Sequence, residues 1–400
     1  MLIKTSHKAG PRVLDSKELQ DEYVAKELSR RHMVQAAMLG SVGTWLGAAG
    51  LLGCSSATTT SSPTGTKPGP TGTDPTNPDP TKTDPTKKPA HLVGMGYSDT
   101  DRNAALKAAL AETIGLGMIK AGQSVCLRVN SNSGDLYPYS TSADTILAVG
   151  GMLKDLGVTD LRIGDRSFWG DTGTAKNLTN NGIAGAAQKL GTKAVVYDDT
   201  VEWVTLPAGS TPNWTGTVRF PKDVTSADHI LILSVVKTHF IATVTMALKL
   251  QIGIVHAADR QRAGNLLSHD TNVLHKQVAQ LNKAITPSLV IMDGYQAVIS
   301  GGPTKRDRPP GAPSSAPNTL VGDPKVFIVS TDLVAADVTG IAVLQDLAPT
   351  YEHVQKTKPF ANPAIKEAVA AGLGIADASA YDLSGPTVPK LDTYKAKVTG

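Results

Sequence analysis

Seven short runs along this chain are rich in Val, Ile and Leu with little polar alternation: Leu92–Gly96, Ser124–Val129, Asp160–Gly164, Lys193–Tyr197, His229–Val235, Ser288–Met292 and Lys325–Val329. A strand with one face in water alternates apolar and polar residues, whereas a strand covered on both faces does not. Longer helical patterns intervene at Asp101–Gly117, Ser142–Leu156, Thr174–Leu190, Thr243–Gly253, Thr271–Ala284, Leu333–Leu344 and Pro363–Ala371. The alternation predicts an α/β fold, a mostly parallel sheet with helices on both faces. Ser98 with Asp101, and Thr141 with Asp144, read as helix-start signals. Trp203–Val224, with Thr, Val, Trp and turn residues, predicts a small β-hairpin insertion near 201–224, and the Pro-rich Gly301–Asn318 a long loop.

The alternation begins only near residue 91. A polar leader ends at Ser29-Arg30-Arg31, and an uncharged, Gly- and Ala-rich stretch runs from Met33 to Gly53. Arg30 and Arg31 directly before such a run read as a bacterial twin-arginine (Tat) export signal. Leu51-Leu52-Gly53-Cys54 resembles a lipoprotein processing box, in which the Cys54 thiol takes the diacylglycerol. An uncleaved membrane span is the other reading, since about 20 apolar residues would suffice; the weakly hydrophobic, Gly-rich composition and terminal Cys54 argue against it. Residues 55–90 hold eight Pro and eleven Thr and repeat Asp-Pro-Thr at Asp74, Asp79 and Asp84. Such a segment buries too little apolar surface to offset its ordering entropy, so a disordered tether is expected. The expected organisation is a signal peptide over 1–54, a linker over 55–90 and an α/β domain over 91–400. The chain is then exported and lipid-anchored on the periplasmic side of the cell envelope. Ser55 permits outer-membrane residence, and the Tat translocase and lipoprotein-processing enzymes are the partners.

Charge and cysteine content narrow the chemistry. Of the net charge of +4, residues 91–400 contribute one, with 28 basic and 27 acidic side chains. No basic stripe marks the domain as a nucleic-acid binder. Two Cys in 400 residues exclude a self-ligated iron–sulfur cluster and a four-thiolate zinc site. Cys126, inside an apolar run, reads as an inert core thiol. Walker, Gly-x-Ser-x-Gly, Gly-x-Gly-x-x-Gly and His-Glu-x-x-His patterns are absent from the sequence. Ser234-x-x-Lys237 falls on a strand, where i and i+3 point to opposite faces, so it cannot work as the helical Ser-x-x-Lys motif.

In open α/β sheets ligands bind beyond the carboxyl ends of the strands. The polar residues that follow the predicted strands are Asn130, Ser131, Asn132 and Asp135; Asp165 and Arg166; Lys237, Thr238 and His239; Asp293; and Ser330, Thr331 and Asp332, with Asp337 a turn later. Turn and cap roles explain Asp and Asn at such places equally well, Asp332 above all. Lys249 lies in the otherwise apolar Thr245–Leu250, where a lysine is paired, snorkels or acts. Lys237, His239 and Lys249 would hold an anionic group such as phosphate or carboxylate. An ion pair of the lysines with Asp293 or Asp165 is the alternative. Five of the nine His fall between 229 and 275. His256, His269 and Asp337 could hold a divalent metal, although no compact metal spacing is present; His229 and His275 read as structural. The candidate site is therefore Lys237, His239, Lys249 and Asp165 for chemistry and Asn130, Asn132, Thr238, Thr245 and Asp293 for ligand contact.

These features resemble the family of domain of unknown function 362. Leu127-Arg128-Val129-Asn130 is similar to its Lys-x-Asn after an early strand, and Ala143–Gly164 followed by Asp165 to its helix–Gly–strand–Asp segment. Lys237-Thr238-His239, then Thr245, Lys249 and Gly253, resembles its Lys-x-His and Thr-x-x-x-Lys-x-x-x-Gly core. Asp293-Gly294, Gly302-Pro303, and Ser330-Thr331-Asp332 with Ala335 and Asp337 resemble its later pairs and closing motif. The resemblance covers about residues 92–345. Arg128 replaces the usual Lys, Gln251 stands near where many members carry Asn, and the ferredoxin-like Cys cluster of some members is missing. The family implies a site at these residues and no particular reaction. Three readings stay open: an enzyme or ligand-binding domain, a non-catalytic periplasmic binding or scaffold lipoprotein, and a redox partner with an external cofactor.

Overall fold

A computed structural model of the protein describes residues 90–167, 173–198, 200–261, 267–305 and 319–400. Arg30, Arg31, Cys54 and nearly all of the expected linker lie outside these residues. The strands are β1 (Val93–Tyr97), β2 (Ser124–Val129), β3 (Asp160–Asp165), β4 (Ala194–Val196), β5 (Trp203–Thr205), β6 (Arg219–Pro221), β7 (His229–His239), β8 (Thr243–Val244), β9 (Leu289–Ser300), β10 (Leu320–Gly322), β11 (Val326–Ser330) and β12 (Leu383–Ser384). The main sheet has the order β12-β1-β11-β9-β7-β2-β3-β4, with β10 added to β9 and β8 to β7; β5 and β6 form the expected hairpin as a separate pair.

The sheet is mostly parallel. Neighbours pair in parallel from β9 through β7, β2 and β3 to β4, while β11 is antiparallel to both β9 and β1. Helices cover both faces, and alternate residues of one strand serve opposite sides: Ile230 and Ile232 join one core cluster, Leu231 and Leu233 the other. This two-sided burial is why the strand sequences lack polar alternation. Helix Leu333–Leu347 is buried along nearly its whole length, which is why its sequence is apolar all round.

Several boundaries differ from the sequence reading, each for a local reason. The expected helix Thr174–Leu190 is two helices, Thr174–Asn180 and Ile183–Lys189. Gly182 breaks it with φ +84°, a conformation open to glycine, and the Asn181 side chain caps the Ile183 N–H. The helix starts shift by a residue or more: Asp101 and Ser142, not Ser98 and Thr141, accept the first free N–H groups. The expected helix Thr243–Gly253 is instead the short strand β8 followed by a 3₁₀ helix, Leu248–Ile254. Strands β7 and β9 run on to His239 and Ser300, because each is flanked by partners on both sides. Their register slips by a bulge between Val235 and Lys237, which re-aims the last residues of β7.

Candidate functional site

The antiparallel β11 decides which strand ends share an edge. The carboxyl ends of β2, β3 and β7 lie together, while that of β11 lies at the opposite edge. Ser330, Thr331 and Asp332 are therefore not part of one site with the others. Asp332 Oδ1 accepts the Ala335 N–H at 2.8 Å and starts the helix behind it. Asp337 does not reach the pocket either: its carboxylate accepts the N–H groups of Ala247 (2.9 Å) and Leu248 (3.2 Å). It thereby fixes the start of the 3₁₀ helix that carries Lys249. Asp293 lies inside β9 rather than after a strand. It is buried and pairs with Arg102, accepting also from Tyr137 Oη (2.7 Å) and Thr145 Oγ1 (2.6 Å).

What remains at the shared edge forms a cavity. Among its walls are Asn130, Asn132, Asp165, Arg166, His239, Thr245, Lys249, Gly253, Arg260, Ser268 and His269, with an apolar side made by Phe240, Ile241, Leu250, Ile252, Leu267 and Leu274. Seven of the residues singled out from sequence are thus brought together: Asn130, Asn132, Asp165, His239, Thr245, Lys249 and His269. Lys237 stands directly behind them. Its Nζ donates to Asn130 Oδ1 at 2.7 Å and to the Tyr139 carbonyl at 2.6 Å, so it locks the loop after β2. Thr238 points elsewhere and donates to the Gly301 carbonyl at 3.0 Å.

Asp165 is the fixed anion of the site. Its Oδ2 accepts the Ser131 N–H at 2.6 Å, and its Oδ1 meets Arg128 Nη2 at 3.3 Å. Arg128 is wholly buried and also donates to the carbonyls of Gly164 and Leu250. Arg260, equally buried, donates to the carbonyls of Ile252, Arg166 and Ser167. Neither lysine pairs with Asp165 or Asp293, which have arginine partners. Lys249 has no hydrogen-bond or carboxylate partner among the described residues. Five cationic side chains (Arg128, Arg166, Lys237, Lys249 and Arg260) therefore stand in the cavity wall or just behind it, against the carboxylates of Asp165 and, near Lys237, of Asp135.

The protonation states follow from burial first and from that excess second. Burial, with the nearby Lys249 charge, lowers Lys237 to about 7. Burial, with Arg260, lowers Lys249 to about 8. Burial, with the charges of Lys249 and Lys237, holds His239 well below the usual imidazole range. His239 Nδ1 accepts the N–H groups of Ile241 (3.1 Å) and Ala242 (3.3 Å), so the neutral ring carries its proton on Nε2.

His256, His269 and Asp337 do not converge. His256 Nδ1 contacts Arg219 Nη2 at 3.1 Å and the ring packs against Trp203, while Asp259 takes a second arginine nitrogen bond from Arg219. Among the described residues no three His, Cys, Asp or Glu side chains form a group that could hold a metal ion. Sequence reasoning missed Arg128 as more than a replacement, and missed Arg260 altogether. A charge inside the apolar run Ser124–Val129 was the available signal for the first; Arg260, in a polar stretch, had none.

The matching family model is that of the domain of unknown function DUF362, over residues 125–342, more than half of the chain. The chain belongs to this family. The DUF362 match begins in β2 and leaves out β1, which the sequence resemblance included, and it contains every residue of the cavity wall. The chain is also similar to a thylakoid-associated protein of Synechocystis sp., 25% identical over 271 residues, 65% of this chain and 79% of the relative. Among the described residues no helix is long and apolar enough to cross a membrane.

Proposed function

We propose that this DUF362 protein binds a small anionic ligand, a carboxylate or phosphate compound, in the cavity at the ends of β2, β3 and β7. The observation that carries the reading is the excess of cations over carboxylates there, with Lys249 left without a hydrogen-bond or carboxylate partner among the described residues. Burying an unpaired ammonium is costly, and a cavity that keeps one is suited to a ligand that completes it. The apolar side formed by Phe240, Ile241 and Leu250 fits a ligand with a short apolar portion and lowers the local dielectric, which strengthens the ionic contact.

The same proposal places the domain outside the cytoplasmic membrane, carried there by Arg30-Arg31 and held by acylated Cys54, with the Thr/Pro-rich residues 55–90 giving reach. The relative's thylakoid association is in keeping with a membrane-linked setting. Metabolic labelling with a fatty acid should mark the wild-type chain and not Cys54→Ala, and Arg30→Lys/Arg31→Lys should leave the protein unexported. An unlabelled, unexported wild type refutes this part.

Ligand binding is tested by thermal melting of the full chain with phosphate, acetate and oxalate against chloride at equal ionic strength. A ligand that binds only the folded state raises the melting temperature with its concentration. At least one anion should do so in the wild type and fail to do so in Lys249→Met. Equal effects of all salts on both proteins would overturn the proposal.

A further inference from the structure

Five buried or half-buried basic groups serve the cavity, and three of them are tied in place. Arg128, Arg260 and Lys237 are each tied to backbone carbonyls or to Asn130, and they set a positive potential without being able to leave their places. Lys249 projects from the 3₁₀ helix without an acceptor among the described residues and is the one primary amine in the described cavity wall, where its sequence neighbours Leu248 and Leu250 are buried. We propose that Lys249 is a nucleophile, and that the cavity captures the carbonyl carbon of a small anionic aldehyde or 2-oxo acid as an imine on its Nζ. This rests on the anion-binding reading above and adds the reacting group of the ligand to it.

The surroundings suit each part of that chemistry. An amine attacks only when neutral, and both burial and neighbouring cations favour its neutral form. The positive potential of the fixed cations favours the carboxylate of the ligand beside the wall residues Arg166 and Arg260, leaving the carbonyl for Lys249. In the addition the Nζ–C bond forms, the carbonyl π pair moves to oxygen, and a proton passes from nitrogen to that oxygen, giving a carbinolamine. The nitrogen lone pair then expels the hydroxyl, which leaves as water after taking one proton. The balance is one amine, one carbonyl and one proton to one protonated imine and one water, with no oxidant or reductant. His239, neutral with its proton on Nε2, is the cavity residue suited to lend and recover that proton.

With Lys249 at about 8, roughly half is neutral at pH 8, against well under 1% of an ordinary lysine at about 10.4. Full-length protein treated with glyoxylate and cyanoborohydride, and digested for mass mapping, should gain a carboxymethyl group on Lys249 at least about tenfold faster than on the surface residue Lys366, given that difference in neutral fraction. Oxalate, an anion without an electrophilic carbonyl of this kind, should slow the labelling of Lys249 and leave that of Lys366 unchanged. Lys249→Arg should abolish the fast label. If that variant fails to fold, the oxalate protection in the wild type stands as the independent measurement. Oxalate that raises the melting temperature while Lys249 labels no faster than Lys366 overturns the imine and leaves anion binding standing. Fast labelling on Lys237 instead overturns the assignment to Lys249. Absence of both fast labelling and any anion effect on melting overturns both proposals.

Discussion

Gly253 closes on Asp165: a Cβ built on that glycine would overlap Oδ1 of the carboxylate and stand 3.2 Å from Arg128 Nη2. The last turn of the Lys249 helix is therefore seated directly on the Arg128–Asp165 pair, and the Gly253 carbonyl accepts the Arg166 N–H at 3.0 Å. Gly253→Ala must push the helix or the carboxylate aside. Overpacking of this kind typically costs about 1–3 kcal/mol, and chemical denaturation should read a loss in that range, accompanied by a weaker response of melting temperature to anions. A fully stable Gly253→Ala with unchanged anion response would show that the contact is loose.

Arg102 and Asp293 form a second buried pair, 16% and 0% exposed at their side chains. Arg102 also lies over the Tyr137 ring, 4.4 Å from its centre, and Asp293 accepts from Tyr137, so the pair pins the loop after β2. Removing one partner of a buried pair leaves the other charge uncompensated, at a typical cost of about 3–5 kcal/mol. Asp293→Ala should show that loss in urea unfolding, and Arg102→Met combined with Asp293→Ala should recover much of it. Additive losses in the double variant would contradict a coupled pair.

Stability of the ligand-free protein should rise with pH on the alkaline side of neutrality. Lys237 at about 7 and Lys249 at about 8 sit below an unfolded lysine, so above pH 7 the unfolded chain binds more protons and stability rises with pH. Asp337 acts in the opposite sense at lower pH. Burial lifts its carboxyl to about 7, so the folded chain binds more protons between the ordinary carboxylate range and 7, and stability falls as pH rises through that interval. In that acid interval His239 and His275, both lowered by burial, act against Asp337, since the unfolded chain binds more protons at them; on the alkaline side the two lysines act together, and the melting temperature should be higher at about pH 9 than at about pH 7. Lys249→Met should flatten the alkaline rise and raise the melting temperature at pH 7, since it removes a buried cation that has no carboxylate partner among the described residues; an unaltered profile would exclude Lys249 from the titration.

The layered α/β architecture was legible because strands covered on both faces leave a plain trace: each expected apolar run contains a strand. The direction of β11 was not, since an antiparallel strand inside a parallel sheet carries the same Val/Ile pattern as its neighbours. That one reversal moved Ser330, Thr331 and Asp332 to the far edge. Asp165, His239 and Lys249 were readable from their places after or near apolar runs. Thr238 and Asp293 were misplaced because β7 and β9 continue past the point where their apolar runs end, held by hydrogen bonds that side-chain patterns do not record. Lys249 was placed on an α-helix by composition, whereas the bonds from Ala247 and Leu248 to Asp337, a long-range contact, fix a 3₁₀ turn there.

The polarity of β1 has a mechanical consequence. It runs in the same sense as β2, β3 and β7, so Val93 begins at the edge from which those strands start, and the cavity is at the edge where they finish. Strands of five or six residues at about 3.3 Å each separate the two edges by roughly 15–20 Å. A load applied to the domain through Ala90 thus meets hydrogen-bonded strands lying between it and the Lys249 turn. Such a load would be borne first by the pairings of β1 with β11 and β12, at the end of the sheet away from the cavity wall.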